Sequence, residues 1–306
     1  PYLARAPRAV REKVEVLENE ALRAEFTNRG ARLVSLRVKG MNGAAGSSGG
    51  ELELVAPRQE SPLPFSLLGP GGEPLVANAA LFVTARESTK EGERLRFQYR
   101  DALGEVEKSF LLGPDGRMEI VIAAPAVPGF NLLLGPGLRA RTVEELASRF
   151  ELRRAVWSGA GEVETHDPAK ANEVLELAGE TLNWVGLEDT YFLTAVVPLQ
   201  PVAKARFRPV LLTPAGEPRT FDNKPVPPPP GEIAATDKDL PRDFVLELQA
   251  REGRIEATSY WGSKQLDRLT AMPYGLDKTV QLGMFGFLAR PLLYSLQWIY
   301  ANVVAN

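Results

Sequence analysis

The sequence predicts a mainly β protein, a large antiparallel two-sheet sandwich finished by C-terminal α-helices. Three observations carry this reading. Between residues 82 and 124, segments of period-two alternation recur about every ten residues, with turn-forming Gly and Pro between them. No strand–helix–strand alternation appears, which removes the parallel α/β folds. From residue 263 onward the apolar spacing changes from two to three and four, the mark of helices.

The elements follow in order. Residues 1–13 mix Pro, Ala and Arg without a period and read as a linker. Residues 20–27 set Leu22, Ala24 and Phe26 against Ala21, Arg23 and Glu25, and residues 31–38 place Val34, Leu36 and Val38 on one face. Asn28-Arg29-Gly30 between them signals a turn, so the two runs form a hairpin. The stretch 41–50, MNGAAGSSGG, is poor in side chains and separates strands. Residues 94–100 alternate strictly, giving one buried and one wet face. Gly104 and Gly113-Pro114-Asp115-Gly116 supply turns, and Met118, Ile120 and Ile122 form the next inward set. Thr142-Val143-Glu144-Glu145 has capping-box spacing and predicts a short helix to Phe150.

Strand character returns over 153–165. Asp167 as cap and Pro168 in the first turn predict a short helix ending at Leu177. Residues 181–198 read as two strands joined through Gly186 and Glu188-Asp189. The run 225–231, PVPPPPG, cannot pair inside a sheet and reads as a stiff polyproline-type hairpin loop. Residues 244–248 and 254–261 are the last strands, and 263–270 and 280–304 have helical spacing. The expected organisation is a linker over 1–13, a β domain over 14–261 and C-terminal helices over 262–306.

Composition narrows the function. With 306 residues and 44% apolar content the chain can bury a sizeable core. Its formal charge is -3 and its Lys and Arg are dispersed, which argues against a nucleic-acid surface. Cysteine is absent, so disulfides, thiolate metal sites and cysteine nucleophiles are excluded. The chain begins at Pro1 with neither an initiator Met nor a signal peptide and reads as a piece of a longer protein.

The residues that could carry chemistry are few. His166 is the sole histidine, so a hydrolase triad and a two-histidine metal site fail for want of partners. It is expected in a surface turn, Thr165-His166-Asp167-Pro168. Glu144-Glu145 and Glu188-Asp189 are expected in solvated loops. Gly69-Pro70-Gly71-Gly72 and Gly135-Pro136-Gly137 lack the strand–loop–helix context and the Lys of a phosphate cradle, and read as turns. No catalytic residue, metal ligand or cofactor site is expected.

One stretch stands apart. In residues 281–306, Leu282, Phe285, Ala289, Leu292, Leu296, Ile299 and Val303 recur at alternating spacings of three and four and form one apolar seam, widened by Leu288, Leu293, Tyr300 and Val304. Met284, Phe287, Tyr294 and Trp298 add apolar surface off the seam. A transmembrane helix needs roughly 20 apolar residues, and this run is long enough, but Arg290 near its middle costs at least ~2.5 kcal/mol at mid-bilayer. A buried core helix is a second placement. The third is an amphipathic interfacial helix over 281–305, with Tyr294, Trp298 and Tyr300 at headgroup level, and this is the expectation. Its contacts with membrane or partner helices would come from Leu282, Phe285, Leu288, Leu292, Leu296, Trp298, Ile299 and Val303.

Taken in order, several short motifs form a resemblance. Glu18-Asn19-Glu20 with Phe26-Thr27-Asn28-Arg29-Gly30, then Trp184-Val185-Gly186 and Tyr191-Phe192, resemble the periplasmic region of the YidC membrane protein insertases. Tyr260-Trp261-Gly262-Ser263-Lys264 with Asp267 and Leu269, Gly275-Leu276-Asp277-Lys278, Leu282-Gly283, Pro291-Leu292-Leu293, Ile299-Tyr300 and Asn306 continue it. The resemblance covers the chain from about Val16 to its last residue. Departures are Ser263 where Pro is expected, Ala31 where a second Gly is usual, and Met284-Phe285 where Trp is common.

The resemblance implies a β-supersandwich similar to mutarotase-like domains, held on the periplasmic side of the bacterial inner membrane. It implies no enzyme activity, a final helix on the membrane surface, and contacts with Sec translocon components and nascent membrane proteins. The alternative from another class is a carbohydrate- or extended-ligand-binding sandwich, against whose catalytic form the single His166 argues.

Overall fold

The computed structural model describes residues 9, 11–41, 49–55, 63–101, 104–113, 116–135, 152–167, 173–211, 220–221, 224–225, 242–272, 274–280 and 295. The chain opens with β1 (Val14–Glu18), β2 (Leu22–Thr27), β3 (Arg32–Lys39) and β4 (Glu51–Glu53), paired antiparallel in sequence order as one sheet. The short β5 (Leu67–Leu68) precedes a meander of β6 (Val83–Thr89), β7 (Gly92–Asp101), β8 (Gly104–Leu112) and β9 (Met118–Ala123). Then come β10 (Asn131–Leu133), β11 (Arg153–Gly159), β12 (Glu162–His166), β13 (Leu175–Ala178), β14 (Leu182–Asp189), β15 (Phe192–Pro198) and β16 (Lys204–Leu211). A two-residue pair, β17 (Thr220–Phe221) and β18 (Lys224–Pro225), precedes β19 (Arg242–Gln249) and β20 (Arg254–Ser263).

Two larger sheets complete the sandwich. One has nine strands in the order β12-β11-β14-β15-β20-β9-β8-β7-β6, the other five in the order β13-β16-β19-β10-β5. Every pairing within them is antiparallel. One apolar core joins all three sheets: Leu95, Phe97, Ile120 and Trp261 from the nine strands, Phe207, Leu246 and Leu248 from the five, and Leu22, Phe26 and Leu36 from the four. Its densest part is aromatic, with the Phe26 and Phe110 rings 4.4 Å apart and Phe65 and Phe110 4.8 Å apart.

The alternation read from sequence holds in detail. Leu95 and Phe97 are buried while Gln98 and Arg100 are exposed, and Met118, Ile120 and Ile122 all face the core. The wet side of this meander is a cross-strand ladder of charge, with Arg86 on Glu93, Arg96 on Glu87 and Glu107, and Arg100 on Glu105. The Asn28-Arg29-Gly30 turn joins β2 to β3, with Gly30 at φ 72 and its Cα hydrogen facing the Asn78 backbone too closely for any Cβ.

Four expectations are corrected. A register shift between Glu25 and Phe26 pairs Phe26 with Leu33, so Leu33 is fully buried with Leu36 and Val38 while Val34 is only half-buried. Leu175–Ala178 is a strand paired with β16, not the end of a helix, because Leu175 and Leu177 pack against the sandwich core. β14 runs straight through Gly186, and the chain reverses at Thr190-Tyr191 instead. His166 closes β12 and is half-buried, its ring 5.9 Å from that of Phe244. The helix expected over 143–150 and the loops at 42–48 and 226–231 lie outside the described residues.

The chain divides into two compact units, residues 1–263 and 264–306. In the second, α1 (Leu266–Ala271) buries Leu266 and Leu269, and a 3-10 turn over Leu276–Thr279 follows Gly275, which sits at φ 72. Among the described residues no helix is long and apolar enough to cross a membrane.

Candidate functional site

The residues expected to meet a membrane or partner helix, Leu282, Phe285, Leu288, Leu292, Leu296, Trp298, Ile299 and Val303, lie outside the described residues. Within 281–306 Ser295 alone is described, helical and exposed. What the structure does define is the end of the β body at which β20 closes with Ser263.

β14, β15 and β20 lie side by side, and both of their faces are buried. On the core side sit Val185, Leu187, Val196 and Trp261; on the opposite side Trp184, Leu193, Ala195 and Tyr260, with Val156 of β11 in the same row. Strands covered on both faces need continuous apolar sequence instead of alternation, and the runs WVGL and FLTAVV have it. Gly186 is required here by space: an added Cβ would lie 2.2 Å from the Thr194 carbonyl oxygen and 3.1 Å from the Ala195 Cα.

The hairpin end of β14 and β15 is built by Asp189. Its Oδ1 accepts hydrogen bonds from the backbone N–H of Tyr191 at 2.7 Å and of Phe192 at 2.6 Å, an Asx turn that fixes the two-residue loop Thr190-Tyr191. The Thr190 hydroxyl accepts from the Leu152 N–H at 3.0 Å, tying the same loop to the start of β11. Phe192 stands opposite Ser263, so the chain leaves the β body directly beside this loop. Tyr191 projects from it 63% exposed, the largest aromatic surface the described body shows to water.

Glu188 and Asp189 are thus not in a solvated loop, as their adjacency suggested; both are buried, at 1% and 0% exposure. Glu188 is held by Arg154 at 2.5 Å, its Cα partner on β11. One strand position over, Arg153 reaches from the nine-stranded sheet to Asp243 of the five-stranded sheet at 2.6 Å, and Arg208 holds the buried Glu247 at 2.7 Å. Each of these carboxylates has one oxygen held by a guanidinium or by backbone N–H groups, an arrangement that fixes neighbouring strands to one another. Among the described residues no three His, Asp or Glu side chains come together as a metal site.

The least expected group is Lys108. It is fully buried on the inward parity of β8 between Val106 and Phe110, and its Nζ donates to the carbonyls of Gly30 and Phe65, each at 2.6 Å. Phe65 holds φ 68 and Ala31, beside Gly30, holds φ 49, both left-handed conformations that non-glycine residues avoid. The ammonium therefore pins two strained backbone segments to the large sheet. Burial, with Arg32 adding repulsion, pushes its pKa well below that of a free lysine. The signal was present in the sequence: Val106, Lys108, Phe110 and Leu112 share one parity, and a charge in an apolar row is either an edge or a buried tether.

Comparison with known proteins decides the family. The model of the YidC periplasmic domain matches residues 15–295. The chain belongs to the YidC periplasmic domain family. Among relatives of this YidC periplasmic domain, the membrane protein insertase YidC of Anaeromyxobacter sp. (strain Fw109-5) is 23% identical over 98% of this chain and 53% of its own length. That of Geobacter metallireducens is 26% identical over 99% of this chain and 54% of its own. The chain thus spans about half the length of these curated relatives. Solved structures of similar shape include a putative mutarotase (YeaD) from Salmonella typhimurium, at TM-score 0.46 and 12% identity over 84% of this chain and 92% of that one. A galactose mutarotase-like protein from Lactobacillus casei gives TM-score 0.46 and 11% identity over 82% and 100%.

Proposed function

We propose that this chain is the non-catalytic periplasmic module of a bacterial inner-membrane protein insertase, and that it holds the amphipathic segment 281–305 at the outer surface of the bilayer. The observation that carries the reading is the family match running from residue 15 to 295, which reaches into that segment. The buried pairs Arg154–Glu188, Arg153–Asp243 and Arg208–Glu247, with the Asp189 turn, support a firmly braced β body in this role. In this role the sandwich fixes the segment's attachment, and Leu282, Phe285, Leu288, Leu292, Leu296, Trp298, Ile299 and Val303 supply the apolar contact with acyl chains or neighbouring membrane helices. Sec translocon components and nascent membrane proteins are the partners such a module would meet. Flotation with liposomes tests this: the whole chain floats, and the chain ending at Ser263 remains at the bottom of the gradient with its β spectrum intact. Equal flotation of the two overturns the proposal.

A further inference from the structure

Two hydroxyls inside the sandwich are buried without a protein partner. Thr194 of β15 and Ser263 of β20 are 1% and 7% exposed, and among the described residues neither the Thr194 Oγ1 nor the Ser263 Oγ meets a hydrogen-bonding group. A buried hydroxyl left in this condition is destabilising, and an apolar side chain of the same shape would remove the penalty. β15 accepts such a side chain on this face, because Val196 stands two residues further along it.

Their position narrows what can satisfy them. Thr194 stands between Leu187 and Trp261, and Ser263 stands opposite Phe192, so the two are diagonal neighbours on adjacent strands with both side chains on the core face. None of these flanking side chains supplies a partner: Leu187 and Phe192 are apolar, and the Trp261 Nε1–H already donates to the Ser259 Oγ at 2.9 Å. Arg153 and Asp189, opposite one another on β11 and β14, lie on the same face at the same end, where Arg153 reaches Asp243 of the five-stranded sheet. The interior is apolar along the middle of these strands, at Val185, Val196 and Ala257, and polar here. Buried polar positions of this kind are where proteins hold ordered water, which needs about two to four polar partners.

We infer that Thr194 and Ser263 share a buried water molecule that bridges β15 to β20 inside the sandwich. Both oxygens are closed off from solvent, which suits a single small hydrogen-bonding molecule and excludes a larger ligand. The bridge holds the last residue of β20 by its side chain as well as by the strand ladder.

Thr194→Val, Ser263→Ala and the double variant of the whole chain test this by urea unfolding, together with a high-resolution crystal structure of the native chain. With a shared water, each single variant raises the unfolding equilibrium constant about fivefold, and the double variant raises it by less than the product of the two, because the first substitution already removes the bridge. The crystal structure shows one solvent peak within hydrogen-bond reach of both oxygens. A Thr194→Val chain as stable as the native one or more stable overturns the inference, as do effects that simply multiply. Hydroxyls turned onto backbone carbonyls with no solvent between them overturn it as well. Should a variant fail to fold, the native crystal structure decides alone.

Discussion

Replacing Lys108 by Met separates a tether from a filler. Met preserves most of the volume but removes the donor, leaving the Gly30 and Phe65 carbonyls, each now bonded at 2.6 Å, without it. An unsatisfied buried acceptor costs about 1–3 kcal/mol, so two give about 2–6 kcal/mol. Relief of the buried charge offsets part of this, and the net expectation at neutral pH is a loss of about 2–4 kcal/mol. Urea unfolding should show a lower midpoint with an unchanged slope. The pH dependence adds a sign. The folded pKa of Lys108 lies below the unfolded value of 10.5. Between the two, the unfolded chain binds more protons than the folded one, so this group raises stability with pH across that window and nowhere else. The gap between the native protein and K108M therefore widens toward pH 10.5, by at most about 1.4 kcal/mol per pH unit. A variant as stable as the native protein, or a gap that narrows as pH rises, refutes the tether.

Three further expectations follow from the same geometry. Gly186→Ala forces a Cβ onto the Thr194 carbonyl at 2.2 Å in a strand covered on both faces, and should lose about 3 kcal/mol in thermal or urea unfolding. Arg153→Met leaves Asp243 buried against an apolar neighbour and should lose about 3–5 kcal/mol, most of it recovered when Asp243→Leu is added, as a double-mutant cycle would show. Asp189→Ala removes the acceptor for two backbone N–H groups and should lose about 1–3 kcal/mol, with hydrogen exchange at Tyr191 and Phe192 accelerating first.

The sandwich was legible because its outer meander alternates: one face of β7 and β9 is wet, so period two is written openly in residues 94–100 and 118–122. The middle of the nine-stranded sheet was harder. β14 and β15 are buried on both sides, their apolar runs lose the alternation, and Gly186 imitates a turn residue while serving close backbone approach. The bulge at Glu25 and Phe26 moved Leu33 inward for a similar reason, since a one-residue shift changes which parity faces the core. Charges were misjudged where pairing partners are distant in sequence: Glu188 looks like a loop residue until Arg154 is brought beside it, and Arg153 finds Asp243 only when two sheets meet. Membership in the YidC periplasmic domain family was legible from the order of short motifs, none of them specific alone.

Tryptophan fluorescence offers the most direct test of the proposed membrane contact through residues 281–305. Of the four tryptophans, Trp157, Trp184 and Trp261 are buried in the β body at 8%, 0% and 2% exposure, and Trp298 belongs to the terminal segment. On vesicles made with brominated lipids, the native chain should lose the fraction of its emission due to Trp298, and Trp298→Phe should show no quenching while still floating. Quenching that persists undiminished in Trp298→Phe, or none in the native chain, would contradict an inert β body that carries its membrane contact in residues 281–305.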